Sequence, residues 1–426
     1  MEAAKFPPRV VQCQGDVLPA FVNLEPVVKI ALNIEVVGAR RGGAEKYAAT
    51  LARWLIAAGH EVHIFASEVA RNELPASAQV HWVRPNVWPG FGWTRAWRFG
   101  RASEKALASE DFDLIIGLVK TWYQHAYVAV GGAHPASLQC SSRRFRSPLS
   151  RGLWWCSRWI NPKQWVYRKI ERLQFDGPHA PHIIAPAHLV ADHFRQHYGI
   201  SAGRLAVVPN GLDAPRPAGD LVKMRQLFRD HNALNEDDAA ILFVARNYEL
   251  KGLEPLLEAF APVAHQYPKT RLFACGSTDD GPFRRQVRRL GIGQQVNFLG
   301  FVDDIEACFA GCEVFAFPTF YDPCSLVVFE AMRAGLACIT TRQNGAGELI
   351  DEGRTGYVVE SPWAVAAMSD RLERLVADPE LRKRIGAAAR LQAREFGLAD
   401  RAHDMLAALA RAAADPLASP KTRKAA

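Results

Sequence analysis

Two carboxylates eight residues apart, Asp322 and Glu330, are the side chains of this sequence best placed to do chemistry. An apolar strand is predicted to end at Phe317, and a helix is predicted to start near Ser325. Glu330 then lies about five residues into the helix, roughly 7 Å along its axis. If a phosphate occupies the helix start, Glu330 can accept hydrogen bonds from a neighbouring ribose, and Asp322 faces the other side of that phosphate.

A glycine-rich turn follows in the same stretch. Residues 337–341 predict a second strand, which leads into Asn344-Gly345-Ala346-Gly347, and a further helix is predicted to begin there with Glu348. The first N–H groups of a helix have no intrahelical acceptor, and the helix dipole favours negative charge beside them. Two helix starts next to neighbouring strand ends are therefore expected to form a pocket of free N–H groups that suits a phosphate.

The spacing Asp322-x7-Glu330 in YDPCSLVVFEAM resembles the Glu-x7-Glu motif of retaining glycosyltransferases with the GT-B fold, which transfer sugar from a nucleotide-sugar. The resemblance extends from about Val28 to the last helix. It departs from the family at the first acid, which is usually Glu and here is the shorter Asp322. The resemblance implies that Glu330 holds the ribose and that the transferred sugar contacts Asp322 and the turn of Gly345, Ala346 and Gly347.

A second set of candidates surrounds a strand-to-helix turn. The apolar run AILFVA leads to Arg246, and Lys251 and Gly252 precede the next helix. Two cations at such a turn can neutralise a diphosphate and stabilise it as a leaving group. The spacing agrees with the Arg-x4-Lys-Gly pattern of the same family. Backbone N–H groups near Ser325 and Leu326 are expected to assist these cations.

We expect no catalytic metal. Asp111 and Asp113 form an Asp-x-Asp pair, which would bind a metal in the other large glycosyltransferase fold, but the pair directly precedes the apolar run LIIGLV. We therefore interpret it as a strand-entry turn. The cations Arg246 and Lys251 make a metal unnecessary for neutralising a diphosphate. No cofactor is expected either, and the resemblance favours a UDP-sugar as the donor substrate.

The N-terminal half offers weaker candidates. The apolar strand of residues 27–36 is followed by a Gly-rich loop and an amphipathic helix, a βαβ arrangement whose glycines let backbone approach a ligand. The resemblance implies that Gly42 and Gly43 face the donor diphosphate or the acceptor. His134 follows another apolar strand and a Gly pair. It is either an ordinary loop histidine or, as in some family members, a histidine that touches the transferred sugar.

Strands and helices alternate with short links through both halves of the chain, which predicts doubly wound parallel sheets. The fold class is α/β, with two Rossmann-like domains of the GT-B type facing a central cleft. We expect a flexible extension at 1–27, an N-terminal acceptor domain at 28–209 and a C-terminal nucleotide-sugar domain at 210–398. The final helix, 399–413, is expected to cross back to the N-terminal domain, and 415–426 to be disordered.

Composition restricts the class of protein. The 426 residues are 49% hydrophobic and 23% charged, typical of a globular protein of about two domains. No apolar run reaches the roughly 18 residues of a membrane-spanning helix, and the first residues lack the apolar core of a signal peptide. The eight cysteines form no CxxC pair, so we expect reduced thiols in a cytoplasmic protein. The formal charge of +8 favours an anionic partner.

Residues 140–172 are unusually basic and rich in tryptophan. They contain nine Lys or Arg against one acid, Glu171, and four of the eleven tryptophans. This composition suits the anionic surface of a membrane. The alternative is a basic helix pair whose tryptophans pack on the N-terminal domain. Nucleic acid is not expected, because no known binding motif accompanies the basic residues.

These observations favour a retaining, metal-independent glycosyltransferase. The overall resemblance is to bacterial lipopolysaccharide-core glucosyltransferases, which implies a hexose, glucose first, moved to a lipid-linked or lipopolysaccharide acceptor. Such an enzyme works as a peripheral protein on the cytoplasmic face of the inner membrane. The alternatives are a transferase that uses another donor, such as GDP-mannose, or a GT-B-fold nucleotide-sugar epimerase or phosphorylase. A non-catalytic scaffold is disfavoured by the presence of Glu330 and Lys251.

Overall fold

The chain divides into two compact units, as seen in a computed structural model that describes residues 11–13, 16–18, 28–38, 43–85, 91–177, 180–212, 217–236, 238–415, 418 and 420. Unit 1 comprises Met1–Ser137, Ser147–Pro209 and Ala399–Ala426, and unit 2 comprises Leu138–Arg146 and Asn210–Leu398. Both units are Rossmann-like α/β folds with a central parallel sheet, as the alternation of strands and helices predicted.

Unit 1 contains a seven-stranded parallel sheet. Its strands read as near-continuous apolar runs because both faces are covered, and Ile30, Ala31 and Leu32 are at most 2% exposed. The strands of the unit are β1 (Val11–Cys13), β2 (Asp16–Leu18), β3 (Lys29–Asn33), β4 (Val36–Val37), β5 (Glu61–Ala66), β6 (Glu68–Val69), β7 (Gln79–Trp82), β8 (Leu114–Gly117), β9 (Ala126–Val128), β10 (His182–Ala185) and β11 (Leu205–Val207). The sheet order is β11-β10-β9-β8-β3-β5-β7.

The helices cover this sheet and extend the unit. They are α1 (Gly43–Ala57), α2 (Arg95–Leu107), α3 (His134–Ser142), α4 (Pro148–Ile160), α5 (Pro162–Phe175) and α6 (His188–Tyr198). One core cluster packs around Phe175 and Phe194, and another packs around Phe65 and Phe99. Asp113 accepts a hydrogen bond from the Lys29 backbone N–H at 2.7 Å, so it lies at a strand entry.

Unit 2 contains a six-stranded parallel sheet in the order β14-β13-β12-β15-β16-β17. The strands are β12 (Ala240–Val244), β13 (Arg271–Cys275), β14 (Val296–Gly300), β15 (Val314–Phe317), β16 (Ala337–Thr341) and β17 (Gly356–Val359). The helices are α7 (Ala218–His231), α8 (Leu253–Gln266), α9 (Gly281–Leu290), α10 (Ile305–Gly311), α11 (Leu326–Ala334), α12 (Val365–Ala377) and α13 (Pro379–Gln392). Fully buried phenylalanines such as Phe243, Phe315 and Phe317 fill the core.

Both ends of the chain, expected to be a flexible extension and a disordered tail, contain residues with defined structure. Strands β1 and β2 pair antiparallel within the expected flexible extension 1–27, whose other residues lie outside the described part of the chain. The last helix is α14 (Leu398–Ala414), and residues from Ala399 onward belong to unit 1. In the expected disordered tail, Asp415 Oδ2 lies 3.0 Å from His182 Nε2. Of the residues after Asp415, only two are described.

Candidate active site

The loops that carry the predicted donor-binding residues leave neighbouring strands of unit 2. Strands β12, β15 and β16 are adjacent and parallel, so their carboxyl ends meet at one edge of the sheet. Arg246 follows β12, Asp322 follows β15 and Asn344 follows β16. The strand order reverses between β12 and β15, and open α/β sheets bind their ligands at such a point. The segments singled out in the sequence therefore form one site within unit 2.

An ion pair joins two of the predicted residues. Lys251 Nζ donates to Asp322 Oδ2 at 2.8 Å and to the Tyr321 carbonyl oxygen at 3.0 Å. The two charged side chains are only 19% and 16% exposed. Gly252 makes the approach possible: it has φ +81°, and a Cβ there would lie 2.0 Å from the Pro318 carbonyl oxygen. In this structure the lysine assigned to the diphosphate and the acid assigned to the sugar neutralise each other.

The backbone around Asp322 is held on both sides. Its Oδ1 accepts the Cys324 N–H at 3.2 Å, its N–H donates to the Gln343 carbonyl at 3.0 Å, and its carbonyl accepts the Gly345 N–H at 3.0 Å. The bond from a side-chain oxygen to the N–H two residues on is an Asx turn, which Asp and Asn form. This gives a physical reason for Asp in place of the family's usual Glu: the shorter acid also shapes the turn.

Asn344 organises the site, although its position in the sequence predicted no more than a turn. Its side chain is 1% exposed, and its Oδ1 accepts the N–H groups of Ser325 at 3.2 Å and Ala346 at 3.1 Å. Its Nδ2 donates to Thr340 Oγ1 at 3.0 Å. The signal in the sequence was an asparagine directly before a Gly turn, a residue type favoured at N-caps. Asn344 thus ties the start of α11 to the following turn.

The glycine-rich turn does not offer free N–H groups. The N–H groups of Gly345, Ala346 and Gly347 donate to oxygens of Asp322 and Asn344, at 3.0, 3.1 and 2.9 Å. The expectation of free N–H groups at this turn is therefore wrong. Because these N–H groups are already satisfied inside the protein, the turn can contribute shape and close backbone approach, but not a set of unpaired donors.

The helix expected to begin with Glu348 is a short 3-10 helix, Gly345–Leu349, which begins three residues earlier. The other expected helix start, the N-terminus of α11, is partly occupied by a protein acceptor. Ser325 is the N-cap residue of α11, and its N–H is taken by Asn344. Leu326 is the first residue of α11, where backbone N–H groups have no intrahelical acceptor.

Arg246 lies in the same loop as Lys251, and Glu330 lies on α11, the helix that follows the turn of Asp322. Arg246 is exposed just after β12. Glu330 is half-buried on α11, between Phe329 and Ala331, which are both 0% exposed. Five residues separate Glu330 from the N-cap Ser325, or about 7.5 Å along the helix axis. The placement on these two elements agrees with the sequence prediction, while the ligand contacts assigned to both residues stay predictions.

Two of the three candidates of unit 1 lie at the starts of helices. Gly42 lies outside the described residues, and Gly43 is the first residue of α1. His134 is the first residue of α3, and its Nε2 lies 2.7 Å from Gln164 Oε1. Burial lowers the pKa of His134 below its ordinary value, and the positive charge of Lys120 lowers it further. A neutral imidazole beside a glutamine is the state this environment favours.

Glu171, the one acid of the basic segment, has a structural role. Its side chain is 2% exposed and accepts hydrogen bonds from Lys120 Nζ and from the Tyr198 hydroxyl. It also accepts the backbone N–H of His134 at 3.2 Å. A buried carboxylate needs such partners. Burial and the Glu171 charge together raise the pKa of Tyr198. Glu171 therefore fixes the start of the helix that carries His134.

The basic, tryptophan-rich segment forms the helices α4 and α5, with an uneven distribution of apolar side chains. Trp154 is 9% exposed, whereas Trp159 is 64% and Trp165 is 56% exposed. Further exposed apolar residues are Leu149, Leu153 and Ile160. So the tryptophans neither all pack on unit 1 nor all face outward. Within the described residues, no helix combines the length and apolarity that crossing a membrane requires.

Two family models match consecutive parts of the chain. The family described as "Glycosyl transferases group 1" matches residues 224–392, and "Glycosyltransferase Family 4" matches residues 41–216. The lipopolysaccharide glucosyltransferase WaaG of Escherichia coli K12 is 24% identical over 219 residues, which are 51% of this chain and 58% of that relative. The matched region thus spans little more than half of that relative's length.

Solved structures share the fold over nearly the whole chain. A crystal structure of WaaG has a TM-score of 0.72 at 20% identity and covers 88% of this chain and 99% of that one. The Anabaena protein HepE, solved in complex with UDP-glucose, has a TM-score of 0.64 at 18% identity, with 90% of this chain and 99% of that one covered. At these identities the likenesses establish the architecture of two Rossmann-like units.

Proposed function

We propose that this chain, which belongs to the group 1 glycosyltransferases with the GT-B fold, is a retaining enzyme that moves a hexose from a nucleotide-sugar to a lipid-linked or lipopolysaccharide-core acceptor. UDP-glucose is the donor to test first. The observation that carries the proposal is the Lys251–Asp322 pair at the carboxyl ends of β12 and β15, where backbone bonds to Gln343 and Gly345 hold Asp322 beside the end of β16. In the proposal, this cation and this acid bind the diphosphate and the sugar on either side of the bond that breaks.

In this proposal the donor lies on unit 2. Lys251 and Arg246 neutralise the diphosphate, which is the leaving group. The Leu326 N–H at the start of α11 adds the positive end of the helix dipole. Glu330 accepts hydrogen bonds from the ribose. Asp322 exchanges its contact with Lys251 for hydroxyl groups of the sugar when the donor binds.

Transfer is proposed to occur on one face of the sugar. The acceptor hydroxyl oxygen forms a bond to the anomeric carbon while the bond from that carbon to the β-phosphate oxygen breaks. The acceptor proton passes to the departing phosphate oxygen, so no protein carboxylate needs to act as nucleophile. Lys251 and Arg246 stabilise the negative charge that develops on the phosphate, which allows a reaction without metal. His134, proposed to contact the transferred sugar, would do so as a neutral donor or acceptor.

The acceptor side is proposed to involve an anionic membrane surface on the cytoplasmic side. The exposed apolar side chains of α4 and α5, together with exposed bases such as Lys163 and Arg172, support this part of the proposal. Arg144 and Arg146 are poorer head-group ligands, because both form ion pairs within unit 2. Each base near an anionic surface contributes about 1 kcal/mol, and salt weakens the attraction.

Donor identity is tested by thermal shift with a panel of nucleotides and nucleotide-sugars. A ligand at a hundred times its Kd stabilises the protein by about 2.7 kcal/mol. We expect UDP-glucose and UDP to give the largest shifts. A larger shift with GDP-mannose would indicate that GDP-mannose, and not UDP-glucose, is the donor. Conversion of the nucleotide-sugar without any acceptor would indicate an epimerase instead.

Mechanism is tested on the product. Nuclear magnetic resonance of the new glycosidic bond should show the anomeric configuration of the donor retained. EDTA should leave the rate unchanged. An inverted product, or inhibition by EDTA that manganese reverses, would contradict the proposed chemistry.

Membrane association is tested by co-sedimentation with vesicles of phosphatidylcholine, with and without phosphatidylglycerol. The variant Lys163→Gln with Arg172→Gln should bind the anionic vesicles less well. A control with the same loss of charge at the exposed Lys269 and Arg288 of unit 2 should not. Equal binding to neutral and anionic vesicles at all salt concentrations would refute the electrostatic contribution.

A further inference from the structure

Nine residues of the chain belong to unit 2 although the segments before and after them belong to unit 1. These are Leu138–Arg146, here called the 138–146 segment. Helix α3 begins at His134 in unit 1 and ends at Ser142, inside the segment. Within unit 2, this segment contacts the loop of Lys251 and the indole of Trp363, which packs beside the turn of Asp322.

Arg146 makes two contacts at the end of the segment. Its guanidinium donates to the Glu258 carboxylate on α8. The same guanidinium lies 4.0 Å from the centroid of the Trp363 ring, within the range of a cation–π interaction. Arg146 is 53% exposed. Exposed ion pairs contribute little to stability, so global folding is a poor explanation for this arrangement.

Trp363 is held by the segment at a second point. Its Nε1–H donates to the backbone carbonyl of Arg143 at 2.9 Å. On the side of the candidate site, the Trp363 ring lies 5.4 Å from the ring of Phe320. The segment therefore fixes both the position and the orientation of the indole that packs against Phe320.

Phe320 belongs to the turn that carries Asp322. It is 2% exposed, and its N–H donates to the Leu250 carbonyl at 2.9 Å. Leu250 is the residue before Lys251, so this one bond joins the two loops of the ion pair. In the same loop, Glu249 precedes Leu250, and its Oε2 lies 3.7 Å from Nη1 of Arg144. The 138–146 segment thus contacts the loop of Lys251 directly, through Arg144, and reaches the turn of Asp322 indirectly, through Trp363.

We propose that Arg146 is a positioning residue for the donor sugar: it holds Trp363 against Phe320 and thereby sets the turn that carries Asp322. The effect on sugar transfer rests on the proposed function, whereas the effect of Arg146 on the turn does not. Arg146 contacts no substrate in this proposal. Its loss should disturb the place of the Asp322 carboxylate more than the binding of the nucleotide.

The kinetic test compares Arg146→Ala with Arg143→Ala. The control removes one charge from the same segment, while the Arg143 carbonyl that binds Trp363 remains. For Arg146→Ala we expect kcat for transfer from UDP-glucose to fall about tenfold, well within the hundredfold that a 1 Å misplacement can cause. The Kd for UDP should stay within about twofold of wild type, because nucleotide contacts are retained. Arg146→Lys, which keeps the cation, should restore part of kcat.

A second measurement does not depend on activity. Hydrogen exchange of a peptide covering residues 319–324 should become faster in Arg146→Ala and stay at the wild-type rate in Arg143→Ala, because local stability follows local contacts. Unchanged exchange in Arg146→Ala would overturn the inference even if the enzyme assay failed.

The remaining outcomes separate the two proposals. A wild-type protein that neither binds UDP nor transfers sugar refutes the proposed function, and the exchange data then decide the role of Arg146 alone. If Arg146→Ala transfers sugar at the wild-type rate, Arg146 does not position the donor. If it loses UDP affinity and thermal stability together with kcat, Arg146 is a folding contact and the inference is wrong.

Discussion

Replacing Asp322 tests the site most directly, because its carboxylate makes two separate contacts. Asp322→Ala removes the bond from Lys251 Nζ at 2.8 Å and the Asx-turn bond from the Cys324 N–H at 3.2 Å. Asp322→Asn keeps an oxygen for Cys324 and removes the charge together with the oxygen that accepts the bond from Lys251. Asp322→Glu keeps the charge and loses the short reach that the Asx turn requires. The three variants separate charge from turn geometry.

The magnitude follows from these bonds. A hydrogen bond between charged groups contributes about 1.5–3 kcal/mol and a neutral one about 1 kcal/mol. Lys251 is 19% exposed and can recover part of its hydration. We therefore expect Asp322→Ala to lower the free energy of unfolding of unit 2 by about 2–3 kcal/mol, with about half of that for Asp322→Asn. For a unit of roughly 200 residues, this corresponds to a fall in Tm of about 5–10 °C for Asp322→Ala.

The assay measures turnover, nucleotide affinity and melting temperature on the same preparations. Transfer from UDP-glucose should fall about a hundredfold in Asp322→Ala, similar to the loss of one electrostatic contact to a transition state. The Kd for UDP should stay the same or decrease, since Lys251 no longer shares its charge with Asp322. Asp322→Glu should also transfer sugar more slowly than wild type, because the turn is altered.

Several results would refute this reasoning. Wild-type turnover in Asp322→Ala would make Asp322 a turn residue only. A tenfold loss of UDP affinity in Asp322→Ala would mean that the carboxylate organises the diphosphate site rather than the sugar site. Full activity in Asp322→Glu would show that the Asx-turn bond is not needed.

The other predictions address three further residues. Lys251→Ala and Glu330→Ala should each raise the barrier to transfer by about 2–4 kcal/mol, by analogy with the loss of one stabilising contact. Circular dichroism should show that both variants keep the fold. Wild-type kcat in either variant would show that the replaced residue does not belong to the site. Because the pKa of His134 is lowered in the folded protein, its imidazole binds a proton more readily in the unfolded chain. The free energy of unfolding should therefore decrease as the pH falls below 6.5, the ordinary pKa of histidine. Tm measured from pH 7.0 down to 5.5 should fall less in His134→Gln than in wild type, and parallel curves for the two proteins would contradict this assignment.

Local sequence was sufficient for the elements that frame the site. The predicted strands that end at Phe317 and Thr341 coincide with β15 and β16, and Ser325 is the N-cap of α11. These elements are short apolar runs bounded by turn-forming residues, so the sequence pattern predicts them without knowledge of the tertiary contacts. The family motif added the expectation that Asp322 and Lys251 belong to one site.

What the sequence could not determine is how the polar groups pair. Lys251 and Asp322 are 71 residues apart, and only the adjacency of β12 and β15 brings them to 2.8 Å. The N–H groups of the glycine-rich turn were expected to be free, but they donate to the Asp322 carbonyl and to the side-chain and backbone oxygens of Asn344. A buried N–H is satisfied by whichever acceptor the packing places nearby. The sequence by itself thus determined the strands, the helix start and the chemical types of the site, and the tertiary structure decided which donor meets which acceptor.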